Sequence, residues 1–387
     1  MTQIVSQKDL TSSRVIFIDL LRFVAIFMMV HGHTVDVLLS YDHRLPGSVG
    51  FNTWLFFRGL TAPLFLFASG FVYGVRFRRT DSPEKFKLIS RKTIRRALLI
   101  IVIGYLMKSP TPSPFHWTHV TYQMIQLFFA VDILQLIGVS LLILLGIETI
   151  ARRFKFDAIK PLLGISFLFL MFHPIVKLIE WEHWLPLSLS SWFSQATGSL
   201  FPLFPWGAYL FLGGALGIYF QRKSYFTDLI TLSKVQLKFG IIFIVGALGL
   251  NFFELLIFNN SSFWTISPNL VYSRFGTVLI FGSLFALVSI SIKSIPQFLR
   301  NASKNSLEIY VLHVMILYGS SWNLGVKSFL GNNLNVIETI IGVILMIGLM
   351  ILFSEGLTKF NNVIYPKWKS KILSRLKKRK RLTQICH

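Results

Sequence analysis

Ten apolar runs constrain this chain more than any other feature: 16–40, 52–75, 93–109, 130–150, 158–178, 200–220, 237–257, 270–292, 305–321 and 336–358. A bilayer core takes about 20 helical residues, and without water the backbone must satisfy itself. The expected fold is therefore an all-α polytopic membrane protein, a bundle of about ten transmembrane helices. A mean hydropathy of +0.62, with only 14% charged residues, agrees with that class. The third and ninth runs are the short or polar ones. Residues 118–130 suit an interfacial helix leading into the fourth. The first run is too long for a signal peptide and has no small-residue cleavage site after it, so it reads as a retained helix.

Charge orders the loops. The formal net charge is +23. Between the second and third runs lie Arg76, Arg78, Arg79, Lys85, Lys87, Arg91, Lys92, Arg95 and Arg96. The 151–160, 221–238 and 293–304 loops carry four, four and three basic residues, and 359–387 carries ten. The intervening loops hold only Arg44, Lys108 and Lys327. This is the positive-inside pattern, and it places both termini in the cytoplasm. The organisation expected is a cytoplasmic segment 1–15, a membrane domain 16–358 and a basic cytoplasmic tail 359–387, in a plasma membrane such as a bacterial inner membrane. Because the pattern accounts for nearly all the basic excess, nucleic acid is not needed as a partner. The tail run Lys377–Arg381 suits anionic lipid headgroups.

Tryptophan has the opposite bias. Trp54, Trp117, Trp181, Trp184, Trp192, Trp206, Trp264 and Trp322 fall on or near the outer side, and only Trp368 is cytoplasmic. An interfacial belt is one reading, although belts are normally two-sided. A sugar-stacking surface above an outward-facing site is the other.

Arg22 and His33 share the first run, eleven residues apart. Three helical turns, about 16 Å of rise, put them on one face at different depths. Ionisable groups within a membrane helix are expensive and point to function. His33 suits a general base or nucleophile, with Asp36 three residues on placed to orient its ring. A satisfied buried histidine is the alternative. His31 faces about 200° away and reads as structural. Arg22 either pairs with Asp19 and snorkels or holds a phosphate. The cluster Arg91, Lys92, Arg95 and Arg96 is either an inside anchor or part of the same polyanion site. Arg58 and Arg274 lie toward the outer ends of their runs. They suit an anionic acceptor, or ion pairs with Asp36 or Glu254. Asp132, Gln135, His173, Lys177, Glu308, His313 and Glu355 complete a polar interior expected of an enzyme or a transporter.

One cysteine, Cys386, excludes an intramolecular disulfide, and no metal-site spacing, P-loop or serine elbow occurs. Gly213-Gly214-Ala215-Leu216-Gly217 reads as a close-packing surface. No internal repeat is evident, which weighs against the main alternative, a secondary transporter with His33 and Asp36 as proton carriers.

Arg22 and His33, with ten residues between them, resemble the first-helix signature of the integral-membrane acyltransferase-3 proteins. Leu60–Phe71, with Phe65, Phe67, Ser69, Gly70 and Phe71, looks like that family's second-helix region. Lys92-Thr93-Ile94-Arg95 resembles its cytoplasmic basic pair, and Ser306–His313 its late Tyr-x-x-His helix. Phe201-Pro202-Leu203-Phe204-Pro205-Trp206-Gly207 and Val131–Gly138 look more like the related heparan-glucosaminide N-acetyltransferase branch. Phe23 departs from the glycine that usually follows the arginine. The resemblance covers roughly 15–358. It implies transfer of an acyl group, such as acetyl, from a cytoplasmic acyl-coenzyme A donor to an extracytoplasmic glycan hydroxyl or amine, with no metal. By this resemblance Arg22, Arg91, Lys92, Arg95 and Arg96 face the donor. By the same resemblance His33 carries the chemistry, His313 lies in the matching late helix, and the outer tryptophans, Trp206 among them, lie near the sugar; position along the runs adds Asp36 beside His33 and Arg58 and Arg274 toward the acceptor.

Overall fold

The computed structural model describes residues 7–45, 48–78, 82–113, 119–223, 229–259, 268–292, 294–364 and 366. Trp117, Trp264, Trp368, Arg79, Cys386 and the 377–381 basic run lie outside the described residues.

In chain order the helices are α1 (Gln7–Leu38), α2 (Val49–Arg78), α3 (Pro83–Met107), α4 (Tyr122–Phe129), α5 (Ile133–Phe154), α6 (Ile159–Leu178) and α7 (Leu187–Ser190). There follow α8 (Leu203–Lys223), α9 (Leu229–Phe258), α10 (Pro268–Ser291), α11 (Gln297–Lys304), α12 (Ser306–Tyr318), α13 (Lys327–Leu330) and α14 (Val336–Lys359). A two-residue antiparallel pair, Gly319–Ser320 with Asn323–Leu324, turns the chain after α12.

The protein is an all-α multi-pass membrane fold. Among the described residues eight helices are long and apolar enough to cross a bilayer. The two expected runs outside that set are α3 and α12. α3 is 25 residues long but starts in the basic cluster. α12 has only 13 residues, about 20 Å, so it does not cross alone. α3 and α9 also start well before their apolar runs, because Lys, Glu and Gln extend a helix as readily as leucine does. Within 118–130 the described residues form the short α4.

The bundle is assembled around two backbone-to-backbone seams. α2 lies along α8, and glycines make the approach possible. A Cβ on Gly213 would strike the Phe67 carbonyl oxygen, one on Gly217 that of Phe71, and one on Gly70 that of Leu210. The 213–217 surface is thus a packing device. α9 and α10 meet in the same way at Gly240 and Gly276. Nearly all the rest of α9 faces outward, as a lipid-facing helix must.

α1 is the structural axis, touching α2, α10, α11, α12 and α14. Its apolar face, with Phe17, Leu21, Ala25 and Val37, is fully buried. Asn332 and Arg44 cap its end: Asn332 Nδ2 donates to the carbonyls of Asp36 and Leu39, and Arg44 Nη2 donates to the same two. Those are among the carbonyls a helix C-terminus leaves unpaired.

Candidate functional site

α1 turns both of its candidate residues inward, because eleven residues close three helical turns. At one end Arg22 Nη2 donates to Ser306 Oγ at 2.9 Å. Asp19, one turn earlier, accepts instead from Ser303 Oγ at 3.3 Å. In place of the Arg22–Asp19 pair, one of the two readings of the sequence, two hydrogen bonds pin α1 to the α11–α12 junction.

Beside Arg22 is a cavity of about 240 Å³. Arg76 from α2, Arg96 from α3 and Lys304 from α11 line it with Arg22, and among the described residues no carboxylate does. Leu134, Ile137 and Leu141 of α5 form one apolar wall, and Ser69, Tyr73, Ser306 and Tyr310 supply hydroxyls. Four cations around an apolar slot make a strongly positive pocket, suited to a phosphate-bearing ligand with an apolar arm. Arg96 is thus the member of the α3 cluster that reaches the cavity. Arg91, Lys92 and Arg95 are exposed and lie off its lining. By sequence Arg76 is either an inside anchor or part of a polyanion site, and Lys304 is one of three basic residues in the 293–304 loop. The only signal in Lys304 is its place two residues before the Ser306–His313 motif.

Toward the other end of α1, His33 meets His313, 280 residues away in sequence, with Nδ1 3.0 Å from Nε2. The two rings are nearly parallel, 18° apart. The second nitrogen of His313 fixes the proton positions. Its Nδ1 lies 2.7 Å from the Ile309 carbonyl oxygen, which only accepts, so His313 Nδ1 carries the hydrogen. In the neutral pair His313 Nε2 is then an acceptor, His33 Nδ1 is the donor, and His33 Nε2 keeps a lone pair that meets no donor among the described residues. Two imidazoles in series thus hold one basic nitrogen in a defined tautomer. Tyr310 lies edge-on to His313 at 5.7 Å and also lines the Arg22 cavity, so it joins the two regions. Its hydroxyl faces Asp132. Asp132 is held locally: it caps α5 by accepting from Ile133 N at 2.7 Å, forms a capping box with Gln135, and pairs with Lys108 at 3.5 Å.

Asp36 is not the residue that orients His33. Its carboxylate pairs with Arg58 at 2.8 Å and with Arg44 at 3.8 Å, and it accepts from the Tyr318 hydroxyl at 3.0 Å. A guanidinium competes better for a carboxylate than a neutral ring does, and Arg58 of α2 takes it. Asp36 belongs to the frame around the histidines. His31 lies against Phe27, ring centroids 6.5 Å apart, and takes no part in the pair.

The acceptor candidates separate. Arg58 is bound to Asp36 and sits over Trp54 at 5.4 Å. Arg274 gets neither expected partner, since Asp36 goes to Arg58 and Glu254 accepts from Asn269 at 3.0 Å. Trp206 packs edge-on to Phe201 at 5.0 Å, and its indole N–H is buried without an acceptor among the described residues. No group of acids, histidines and cysteines among the described residues suits a metal ion.

A family model described as heparan-alpha-glucosaminide N-acetyltransferase, catalytic, matches residues 14–253. The chain belongs to that family. It is accordingly a multi-pass membrane enzyme of the acetyltransferase type. A search of curated proteins finds no match. The family span carries Arg22, His33, Asp36, Arg58, Arg76, Arg96, Asp132 and Trp206. Arg274, Lys304, Tyr310 and His313 come from the chain beyond it. The family segment therefore supplies the basic histidine and three of the four cavity cations, while the later helices supply the partner that sets the histidine's tautomer.

Proposed function

We propose that the chain transfers an acetyl group from acetyl-coenzyme A, bound from the cytoplasm, to an amine or hydroxyl of an extracytoplasmic sugar. The observation that carries this reading is the placement along α1 of a cation-lined cavity at Arg22 and, about 16 Å further on, a histidine with a free Nε2. The cavity, about 240 Å³, is below the size of a whole drug-like ligand site, so it suits the phosphate and the apolar arm of the donor while the base stays outside. Arg22, Arg76, Arg96 and Lys304 hold the phosphates. Arg91, Lys92 and Arg95 add long-range attraction from the α3 surface. The arm runs along Leu134, Ile137 and Leu141 toward Tyr310, bringing the thioester to the histidine pair.

His33 Nε2 then takes the proton of the acceptor as its nitrogen or oxygen attacks the thioester carbonyl. When the carbon–sulfur bond breaks, the proton passes from Nε2 to the departing sulfur, so atoms and charge balance. The covalent variant uses the same atom: Nε2 attacks the carbonyl and the thiolate leaves, the acceptor then takes the acetyl group, and the acceptor's proton passes through the freed Nε2 to the thiolate. His313 and Asp36 position the machinery. Arg58, Arg274 and Trp206 stand at the acceptor end, oriented outward by the positive-inside pattern.

The test is acetyl transfer from radiolabelled acetyl-coenzyme A to glucosamine in membranes, with donor binding measured beside it. Wild type transfers, and His33→Ala binds the donor but loses at least ~10²-fold in transfer. Label retained on the protein without acceptor selects the covalent variant. Equal transfer by wild type and His33→Ala ends the proposal.

A further inference from the structure

A second cavity, of about 220 Å³, lies between the end of α6 and the 193–204 segment that leads into α8. Neither Arg22 nor His33 lines it. Four ionisable side chains do: His173 and Lys177, one turn apart on α6, and Glu180 and Glu182 just past that helix. Opposite charges around so small a space ordinarily close on one another. Here they stay apart. Ile179 leaves the helix in an extended conformation (φ −83°, ψ 126°), so Glu180 does not continue the face that carries Lys177. Glu180 pairs instead with His183 at 3.0 Å, and His183 does not line the cavity. Among the described residues His173, Lys177 and Glu182 have neither an ion pair nor a hydrogen bond.

Depth orders these charges. α6 is a membrane-crossing helix whose Phe172, Ile175 and Leu178 are exposed, as lipid-facing side chains are. Trp184, 79% exposed just past its end, suits the interface, where an indole meets both lipid and water. The cavity therefore lies at headgroup depth. Along the chain the two donors come first, with His173 about 7 Å of helical rise before Leu178. The carboxylates follow, where the chain has left the helix. Donors thus stand on the lipid side and acceptors on the water side. Phe193 and Phe204, ring centroids 6.3 Å apart, give the cavity an apolar wall. The complementary ligand carries its anion deep and its cation toward water, with apolar carbon beside them.

We propose that this cavity binds the headgroup of phosphatidylethanolamine, with the phosphate at Lys177 and His173 and the ammonium at Glu182 and Glu180. Lys177 gives the phosphate a charge-assisted hydrogen bond, and a neutral His173 ring gives it a second donor. A primary ammonium donates three hydrogen bonds toward the carboxylates, whereas the quaternary ammonium of phosphatidylcholine donates none. An anionic headgroup meets Lys177 but leaves Glu182 unmatched. The positive-inside pattern assigns the site to the outer leaflet. A lipid seated there ties the end of α6 to the start of α8, and it does so independently of the chemistry at His33.

The experiment is titration of the full-length protein in detergent with phosphatidylethanolamine, phosphatidylcholine and phosphatidylglycerol of matched acyl chains, read by native mass spectrometry. Wild type should bind phosphatidylethanolamine roughly tenfold or more tightly than either of the others. The double variant Glu180→Gln, Glu182→Gln should lose the preference over phosphatidylcholine. Lys177→Gln should weaken both zwitterionic lipids together. Lys160→Gln, at the opposite end of α6, should change neither. All four side chains are exposed, so the variants should melt with wild type when no lipid is added. Tighter binding of phosphatidylglycerol than of phosphatidylethanolamine would mean a lysine that merely snorkels to any anion, and it overturns the proposal. So does equal binding of the three lipids, or a preference that survives the double glutamine change. Free phosphoethanolamine is the remaining arm: if it displaces the lipid at equal concentration, the cavity belongs to a soluble zwitterion and the lipid assignment falls. Acetyl transfer is not read in any arm, so this site and the proposed function stand or fall separately.

Discussion

Replacing His313 probes the histidine pair most directly. His313 is fully buried, and its Nε2 is the acceptor for His33 Nδ1 at 3.0 Å. Truncation to alanine leaves a buried N–H without a partner, a penalty of about 1–3 kcal/mol. His33 relieves it by moving its proton to Nε2, the nitrogen that the reaction needs free. The same 1–3 kcal/mol, read as a bias between tautomers, corresponds to roughly 5–150-fold in the reactive form. His313→Ala should therefore lower acetyl transfer by about 10–100-fold while leaving donor binding close to wild type, because His313 does not line the Arg22 cavity. His313→Gln offers a side-chain oxygen at a similar reach and should recover much of the loss. The assay is acetyl transfer in membranes normalised to folded protein, with donor binding and melting on the same samples. Near-normal transfer by folded His313→Ala would refute the tautomer argument. Equal defects in the alanine and glutamine variants would do so as well, since packing alone would then account for both.

Arg22→Ala, Arg96→Ala and Lys304→Ala should each weaken coenzyme A binding by about 1–3 kcal/mol, with the interaction falling as salt rises, while Arg91→Ala changes it little; equal effects at Arg91 and Arg96 would deny the cavity its role. In Cys386→Ser protein, an impermeant thiol reagent applied to intact cells should label Ser188→Cys but not Ser82→Cys, and the reverse would invert the topology. Gly213→Val should destabilise the fold by about 1–3 kcal/mol or prevent its assembly, because its Cβ meets the Phe67 carbonyl, whereas Gly246→Ala, in open space on α9, should be tolerated in a detergent melting assay.

The sequence alone determined what the membrane imposes. Apolar run length fixed the helical class, and the two runs that lacked either length or apolarity became α12 and the basic-ended α3. Helical periodicity placed Arg22 and His33 on one face of α1, and the glycine run 213–217 marked a close seam. These follow from local rules that act within one helix.

Partners across the bundle follow from no such rule, and tertiary structure alone decided them. Asp36 lies three residues from His33, yet its carboxylate turns to Arg58 on α2; His313, 280 residues away, takes the ring instead. Lys304 joins Arg22, Arg76 and Arg96 because α11 docks beside α1, and Arg91, only five residues before Arg96, does not line the cavity. Among the described residues Arg274 has no ion-pair partner, because α10 delivers it to Gly59 rather than to Glu254. Periodicity gives the face a side chain occupies, but hydrogen bonds and ion pairs are decided over about 3–4 Å, a scale set by how the helices cross and by which glycines let them approach.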